Sequence, residues 1–166
     1  MSSAYDPAAW STLFAALVGA SATLAGLIFV AVSINLANIV KSRPLVARAA
    51  KALLALMLVL IVSIYALIPG ASDRTLGCDI LFSSAISWIL VTLAQHRSSY
   101  KNPYISRRIH VIYTVLTQFA SLPFIITGLS LIVHTGGGLN WLPTGVILSF
   151  IVAFMDAWVL LIEIQR

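Results

Sequence analysis

Residues 8–40 read AAWSTLFAALVGASATLAGLIFVAVSINLANIV, an apolar run that contains no charged side chain. A bilayer-spanning helix needs about 20 mostly apolar residues, so this run is long enough to cross a membrane. As one continuous helix it would be about 50 Å long, which exceeds a hydrocarbon core of about 30 Å. We therefore predict a first span that tilts or projects from the membrane.

Four further apolar stretches follow, and short polar or glycine-containing turns separate them. The predicted spans cover residues 8–40, 48–68, 76–94, 107–134 and 141–164. This pattern predicts an all-α, polytopic transmembrane helical bundle with five spans, in which residues 1–166 form a single domain. The third stretch, with Asp73 as its predicted cap, is the shortest and contains three serines. The alternative is therefore four spans plus a buried or re-entrant third helix.

The composition excludes most soluble classes of protein. Of the 166 residues, 60% are hydrophobic and only 9% are charged, whereas a soluble domain carries about 25% charged residues. The single cysteine, Cys78, excludes an intrachain disulfide and any multi-cysteine metal motif. The three histidines are scattered and lack metal-ligand spacing. We predict a protein without enzymatic activity, metal or cofactor.

The distribution of basic residues predicts the orientation. Eight of the ten bases fall in the first and third predicted loops: Lys41, Arg43, Arg48, Lys51, Arg97, Lys101, Arg107 and Arg108. Loops rich in lysine and arginine stay in the cytoplasm. The N-terminus is then outside and the C-terminus cytoplasmic, which requires an odd number of spans. We expect these bases to contact anionic lipids at the cytoplasmic face and not nucleic acid.

Asp156 is the most informative single residue because it lies well inside the fifth predicted span. A carboxylate near the bilayer centre costs about 2.5–3.5 kcal/mol on insertion scales, so it is expected to have a partner or a functional role. Ser149, Asp156 and Glu163 are spaced by seven residues and lie on one helix face. Glu163, near the chain end, is expected to form an interfacial ion pair.

The predicted spans contain no cation at the depth of Asp156, so the expected partners of this carboxylate are neutral. The candidates for an ion path or polar network around Asp156 are Ser149, Gln118, Thr117, Ser121, Thr114 and Ser87. Asp156 either lines a proton or cation path or is a protonated or hydrogen-bonded residue that holds helices together.

Two other features concern helix packing. A stripe of small residues in the first span predicts the close approach of another helix, from the same chain or another subunit. Its members are Gly19, Ala22, Gly26 and Ser33. Pro123, in the middle of the fourth span, is predicted to kink that helix and is a candidate hinge.

The string GASATLAGLIFVAVSINL at residues 19–36 resembles the first helix of small bacterial inner-membrane proteins with several spans. Some members of that group are labelled as possible modulators of a membrane protease. The resemblance implies a bacterial inner-membrane location and supplies no catalytic residues.

Two function hypotheses follow from these features. The first is a small ion channel or transporter for a cation or a proton, assembled as a homo-oligomer around the polar faces of the last two spans. The second is a non-catalytic accessory or regulatory subunit that packs against another membrane protein. A water-accessible Asp156 would favour the first, and a dry, fully hydrogen-bonded Asp156 would favour the second.

Overall fold

The computed structural model of the protein describes the backbone of residues 3–99 and 107–163, and their side chains except at positions 43, 96–99, 107–114 and 161–163. Over these ranges the chain forms six α-helices and no strand. They are α1 (Ser11–Ile34), α2 (Leu36–Ile39), α3 (Arg43–Ala66), α4 (Asp73–Ser99), α5 (Arg107–Val133) and α6 (Leu142–Glu163). All except α2 are long and apolar enough to span a membrane. The predicted five-span, all-α fold is confirmed, and the protein is an integral membrane protein.

The first predicted span is shorter than expected. The prediction of one helix to residue 40 was wrong, because α1 ends at Ile34 and the short helix α2 follows it. The break is at Asn35, whose backbone has a non-helical φ of −111° and ψ of 18°. The Asn35 side-chain amide donates a hydrogen bond to the carbonyl oxygen of Ala31 at 3.3 Å. The helix α1 is therefore about 36 Å long, which matches the thickness of a bilayer with little tilt.

The helix α3 begins five residues before the predicted start of the second span, at Arg43 instead of residue 48. Pro44 lies in its first turn, where the fixed φ of proline suits a helix and its missing N–H costs nothing. Arg48 and Lys51 therefore belong to the helix. Their assignment to a cytoplasmic loop was wrong.

The third span is one of the two longest helices, with 27 residues in α4. The expectation that it is the shortest span was wrong, and the length of α4 removes the reason for the re-entrant alternative. Ser72 caps this helix instead of Asp73, since the Thr75 amide donates to the Ser72 hydroxyl at 3.2 Å. Inside the helix, the Ser83 hydroxyl donates to the carbonyl oxygen of Asp79 at 2.7 Å. Such bonds to the preceding turn let serine enter a spanning helix without a buried unpaired hydroxyl.

Four helices form a closed ring in which α3 contacts α4, α4 contacts α5, α5 contacts α6, and α6 returns to α3. The helix α1 packs on the outside of α3 and touches α6 only slightly. Because the connections are short, sequential helices are antiparallel. We call the end where α3 begins and α6 ends the basic end of the bundle, and the opposite end the far end.

The far end is closed by the N-terminal segment. Backbone amides of the α5–α6 connection donate to two side-chain oxygens there: Gly137 to the Tyr5 hydroxyl at 3.1 Å and Gly138 to the Ser130 hydroxyl at 2.7 Å. Gly138 has a φ of +53°, and a Cβ at this position would clash with the carbonyl oxygen of Ala4. Glycine is therefore required where the N-terminal segment crosses the turn.

Candidate functional site

The most unusual feature of the interior is a group of three ionisable side chains, Arg48, Lys51 and Asp156, which we call the charged centre. Nη1 of Arg48 lies 3.9 Å from Oδ1 of Asp156. Nζ of Lys51 lies 3.7 Å from Oδ2 of the same carboxylate. Each oxygen of Asp156 thus faces a different cation.

Two helices bring these side chains together within the membrane-spanning part. Arg48 and Lys51 are three residues apart in α3 and therefore share one face of that helix. Lys51 lies about 12 Å along α3 from its first residue, and Asp156 lies about 10 Å from the last residue of α6. The antiparallel contact between α3 and α6 places both at the same depth from the basic end.

The burial of the three side chains is graded. The side chain of Arg48 is 22% exposed, that of Lys51 is 8% exposed, and that of Asp156 is fully buried. Arg48 is also the member closest to the start of α3. Exposure therefore falls along α3 from Arg48 to Lys51, in the direction that leads away from the basic end.

Apolar clusters lie on both sides of the charged centre along the bundle axis. Toward the far end, Ala52, Leu56 and Ala153 pack with Ile28. Toward the basic end, Leu45 and Leu160 belong to a second cluster, which also contains Ile39 and, at the level of the ions, Ala49. The ionic layer is one turn thick and lies in an otherwise apolar interior, where water screens charges poorly.

The prediction that Asp156 has only neutral partners was wrong, because two bases face it. The error follows from the late predicted start of the second span, which put both bases within its first four residues, so that they were counted with the preceding loop. The sequence did contain the missing signal. Pro44 is favoured at the first position of a helix, and a helix from residue 43 aligns Arg48 and Lys51 on one face.

The other predicted site residues whose side chains are described lie on α4, α5 and α6. On α6, Ser149 is buried on the same face as Asp156, as predicted. Thr117, Ser121 and Ser87 are buried in α5 and α4. The side chains of Thr114 and Glu163 lie outside the described part of the structure.

The side chain of Gln118, in α5, forms hydrogen bonds with two side chains of α4. Its Nε2 donates to the Thr92 hydroxyl at 3.1 Å and to Oε1 of Gln95 at 3.3 Å. This contact between α4 and α5 was not predicted, since Thr92 and Gln95 were not among the candidates. Among the described residues, Nε2 of Gln95 and Oε1 of Gln118 are buried without a hydrogen-bond partner. This amide pair is therefore a second polar layer, near the basic end of the ring.

Comparisons of the chain with protein-family models, curated proteins and solved structures found no match. The function must therefore be inferred from the chemistry of the site.

The small-residue stripe of α1 faces away from the bundle. The buried side of α1 carries Phe14, Leu17, Ser21 and Ile28, whereas Gly19, Ala22, Gly26 and Ser33 are exposed. A Cβ at Gly19 or Gly26 would have no atom within 4 Å. The stripe does not pack against the described part of its own chain, so close packing there stays a prediction for another subunit or protein.

Pro123 is buried inside α5, and the helix continues through it. The Thr127 hydroxyl donates to the carbonyl oxygen of Pro123 at 2.8 Å, which adds a bond one turn after the proline. The role of Pro123 as a hinge stays a prediction.

The remaining predicted loop bases that belong to the described part of the structure lie at or near helix ends. Lys41 is exposed between α2 and α3. Arg43, Arg97, Arg107 and Arg108 belong to helix termini with side chains outside the described part, and Lys101 lies wholly outside it. The charge pattern at the basic end persists without Arg48 and Lys51, so the prediction that this end is cytoplasmic is unchanged.

Proposed function

We propose that this protein is a small ion transporter, for a cation or a proton, and that the charged centre takes part in ion movement. The observation that carries the proposal is a fully buried Asp156 between Arg48 and Lys51 inside two spanning helices. Ionisable groups at such depth are costly and mark ion or proton pathways in membrane proteins.

Stability alone is a weak explanation for the charged centre. Replacing a buried ion pair or triad by apolar residues of similar volume is often neutral or stabilising, by about 1–4 kcal/mol. The helices α3 and α6 already bury Ala52, Leu56 and Ala153 against each other on the far side of the ions. An apolar layer at the ions themselves would continue this packing, so a functional role accounts for the charges better.

The geometry favours a transporter over an open pore. Asp156 has no exposed surface, and apolar clusters flank it along the axis. An ion can pass this layer only when the pairs separate and the flanking helices move. We propose that the protein works as a homo-oligomer. The exposed face of α1 carries small residues, which let a helix of a second subunit approach closely.

We expect Asp156→Asn to reduce ion flux in reconstituted vesicles by about tenfold or more. The change keeps the size of the side chain but removes the negative charge, and an interaction with a charged partner is worth about 1.5–3 kcal/mol. A barrier change of about 1.4 kcal/mol alters a rate tenfold. The measurement is flux of protons, sodium and potassium into vesicles of stated lipid composition.

The matched control is Asp79→Asn, which removes an acid in α4 near the far end, outside the charged centre. This variant should keep wild-type flux, and both variants should keep wild-type expression and oligomer size. Unchanged flux in Asp156→Asn would eliminate the permeation role of this residue and favour the second function below.

The second candidate function is a non-catalytic accessory subunit, and the outward stripe of α1 favours it. The exposed Gly19 and Gly26 leave a flat strip on which another helix can approach closely. A helix of a different membrane protein could pack on this strip in the same way as a helix of a second copy of the chain.

We expect Gly26→Leu to weaken assembly by about tenfold or more. Overpacking costs about 1–3 kcal/mol, and about 1.4 kcal/mol corresponds to tenfold in Kd. The control is Val30→Leu, which alters an exposed position one turn away. Oligomer size in mild detergent distinguishes the two variants. Equal assembly of both would mean that Gly26 faces lipid.

A further inference from the structure

We infer that Lys51 is the proton-exchanging member of the charged centre, so that the ion carried is the proton, and that Arg48 is a positioning residue with a fixed charge. The inference rests on the proposed transport function and names its ion. It starts from a chemical difference between the two bases: lysine can exist as a neutral amine at a buried site, whereas arginine keeps its charge.

Because two bases face Asp156, Lys51 can lose its proton while the carboxylate still has a cation beside it. Oδ2 of Asp156 faces Lys51 at 3.7 Å, and Oδ1 faces Arg48 at 3.9 Å. When the Nζ–H bond of Lys51 breaks, the electron pair stays on nitrogen and the proton passes to a water molecule. Asp156 then still has the positive charge of Arg48 beside it, so the carboxylate is not left as an uncompensated buried charge.

The two cations also repel each other, because they lie three residues apart on one face of α3. Loss of the Lys51 proton removes this repulsion, and its return restores the attraction to Asp156. The separations of 3.7 Å and 3.9 Å exceed the length of a direct charge-assisted hydrogen bond, about 2.7–2.9 Å.

The exposure of the side chains gives the direction of proton exchange in this conformation. Exposure falls from Arg48 to Lys51 to Asp156, and the apolar residues Ala52 and Leu56 follow toward the far end. The proton of Lys51 therefore exchanges with water at the basic end. Release at the far end requires a rearrangement of the apolar layer around Leu56.

Other ionisable groups on the packed helices must be considered with Lys51. The helix α1 has none between Ser11 and Ile34. Toward the basic end, α6 carries Glu163 and α4 carries His96 and Arg97, all with side chains outside the described part. Each variant below changes Lys51, Arg48 or Lys41 alone, so the contribution of these groups is constant across the series.

The first experiment measures proton flux against pH in vesicles loaded with a pH-sensitive dye, under an imposed membrane potential. Lys51→Arg keeps a positive charge that cannot be lost, so we expect at least a tenfold fall in proton flux and loss of its pH dependence. Lys51→Gln, a neutral variant, should show the same loss. The matched control is Lys41→Arg, the same substitution at an exposed lysine outside the charged centre, and it should retain the wild-type flux and pH profile.

The second experiment observes the lysine directly and does not depend on flux. The chain has three lysines, Lys41, Lys51 and Lys101, so nitrogen-15 NMR of the side-chain amines should show three signals. The Lys51 signal, assigned by its loss in Lys51→Arg, should change over the same pH interval as the flux. In Arg48→Lys, which alters the positioning charge, the midpoints of the Lys51 signal and of the flux should shift together.

Wild-type pH dependence in Lys51→Arg, or a Lys51 signal that is constant while flux changes, would overturn this inference and leave the transport proposal standing. Absence of wild-type flux for every ion tested would overturn the proposed function itself. The two failures are therefore distinguishable in one set of vesicles.

Discussion

Asp156→Leu is expected to lower the free energy of unfolding by about 3–5 kcal/mol, since removal of one member of a buried ion pair leaves its partners uncompensated. Here one substitution removes the carboxylate that faces both Lys51 and Arg48. Lys51 is the more affected partner, because its side chain is only 8% exposed. Arg48 is partly exposed, so its long side chain can extend toward the basic end.

The measurement is equilibrium unfolding of the wild type and variants in mixed micelles. The control is the triple variant Arg48→Met, Lys51→Met, Asp156→Leu, which removes all three charges and should recover most or all of the lost stability. Asp156→Leu as stable as the wild type would show that the carboxylate and the bases do not meet in the folded protein. Full recovery by the triple variant, with loss of flux, would show that the charges are kept for function and not for stability.

The sequence predicted the number and type of the spans well because membrane insertion depends on length and apolar content. Each span has a long apolar window, and α4 qualifies in spite of its serines because their hydroxyls bond to the preceding turn. Helix ends were predicted less well. Asn35 ends α1 within a mostly apolar run, and a polar residue at that position does not by itself distinguish a break from a continuous helix.

The site was predicted in part. Asp156 and Ser149 were correctly placed on an inward face of α6, because the heptad spacing of polar residues fixes a face. The partners of Asp156 depend instead on the register between α3 and α6, which is a tertiary property. The start of α3 five residues earlier than predicted moved two cations from the expected boundary between loop and span into the interior.

The contacts made by small residues likewise depend on how the helices pack, which the sequence of one helix does not show. Small residues were noticed in α1, where four of them share a stripe, but that stripe faces outward. The close helix contact within the chain is between α4 and α5, at Gly77 and Gly128. Each of these glycines is isolated in its own helix, so no spacing within one segment could reveal that they meet.

We expect Gly128→Leu to lower the free energy of unfolding by about 3 kcal/mol, the upper end of the usual cost of overpacking. Even a Cβ at Gly128 would lie 2.7 Å from Cγ of Leu81 and 2.9 Å from the backbone oxygen of Gly77. A side chain there can be accommodated only if α4 and α5 separate, because the Gly77 oxygen belongs to the helix backbone. Their separation would also strain the contacts of Gln118 with Thr92 and Gln95.

The matched control for Gly128→Leu is Gly19→Leu, the same substitution in a spanning helix at a position with no atom within 4 Å. In monomeric protein this variant should change the free energy of unfolding by no more than about 0.5 kcal/mol, as is usual for exposed positions. Gly128→Ala should fall between the two, because its single methyl group meets the same atoms. Equal stability of Gly128→Leu and Gly19→Leu in mixed micelles would mean that α4 and α5 do not cross at these glycines. The ring that holds α3 against α6, and so assembles the charged centre, would then need a different arrangement of its helices.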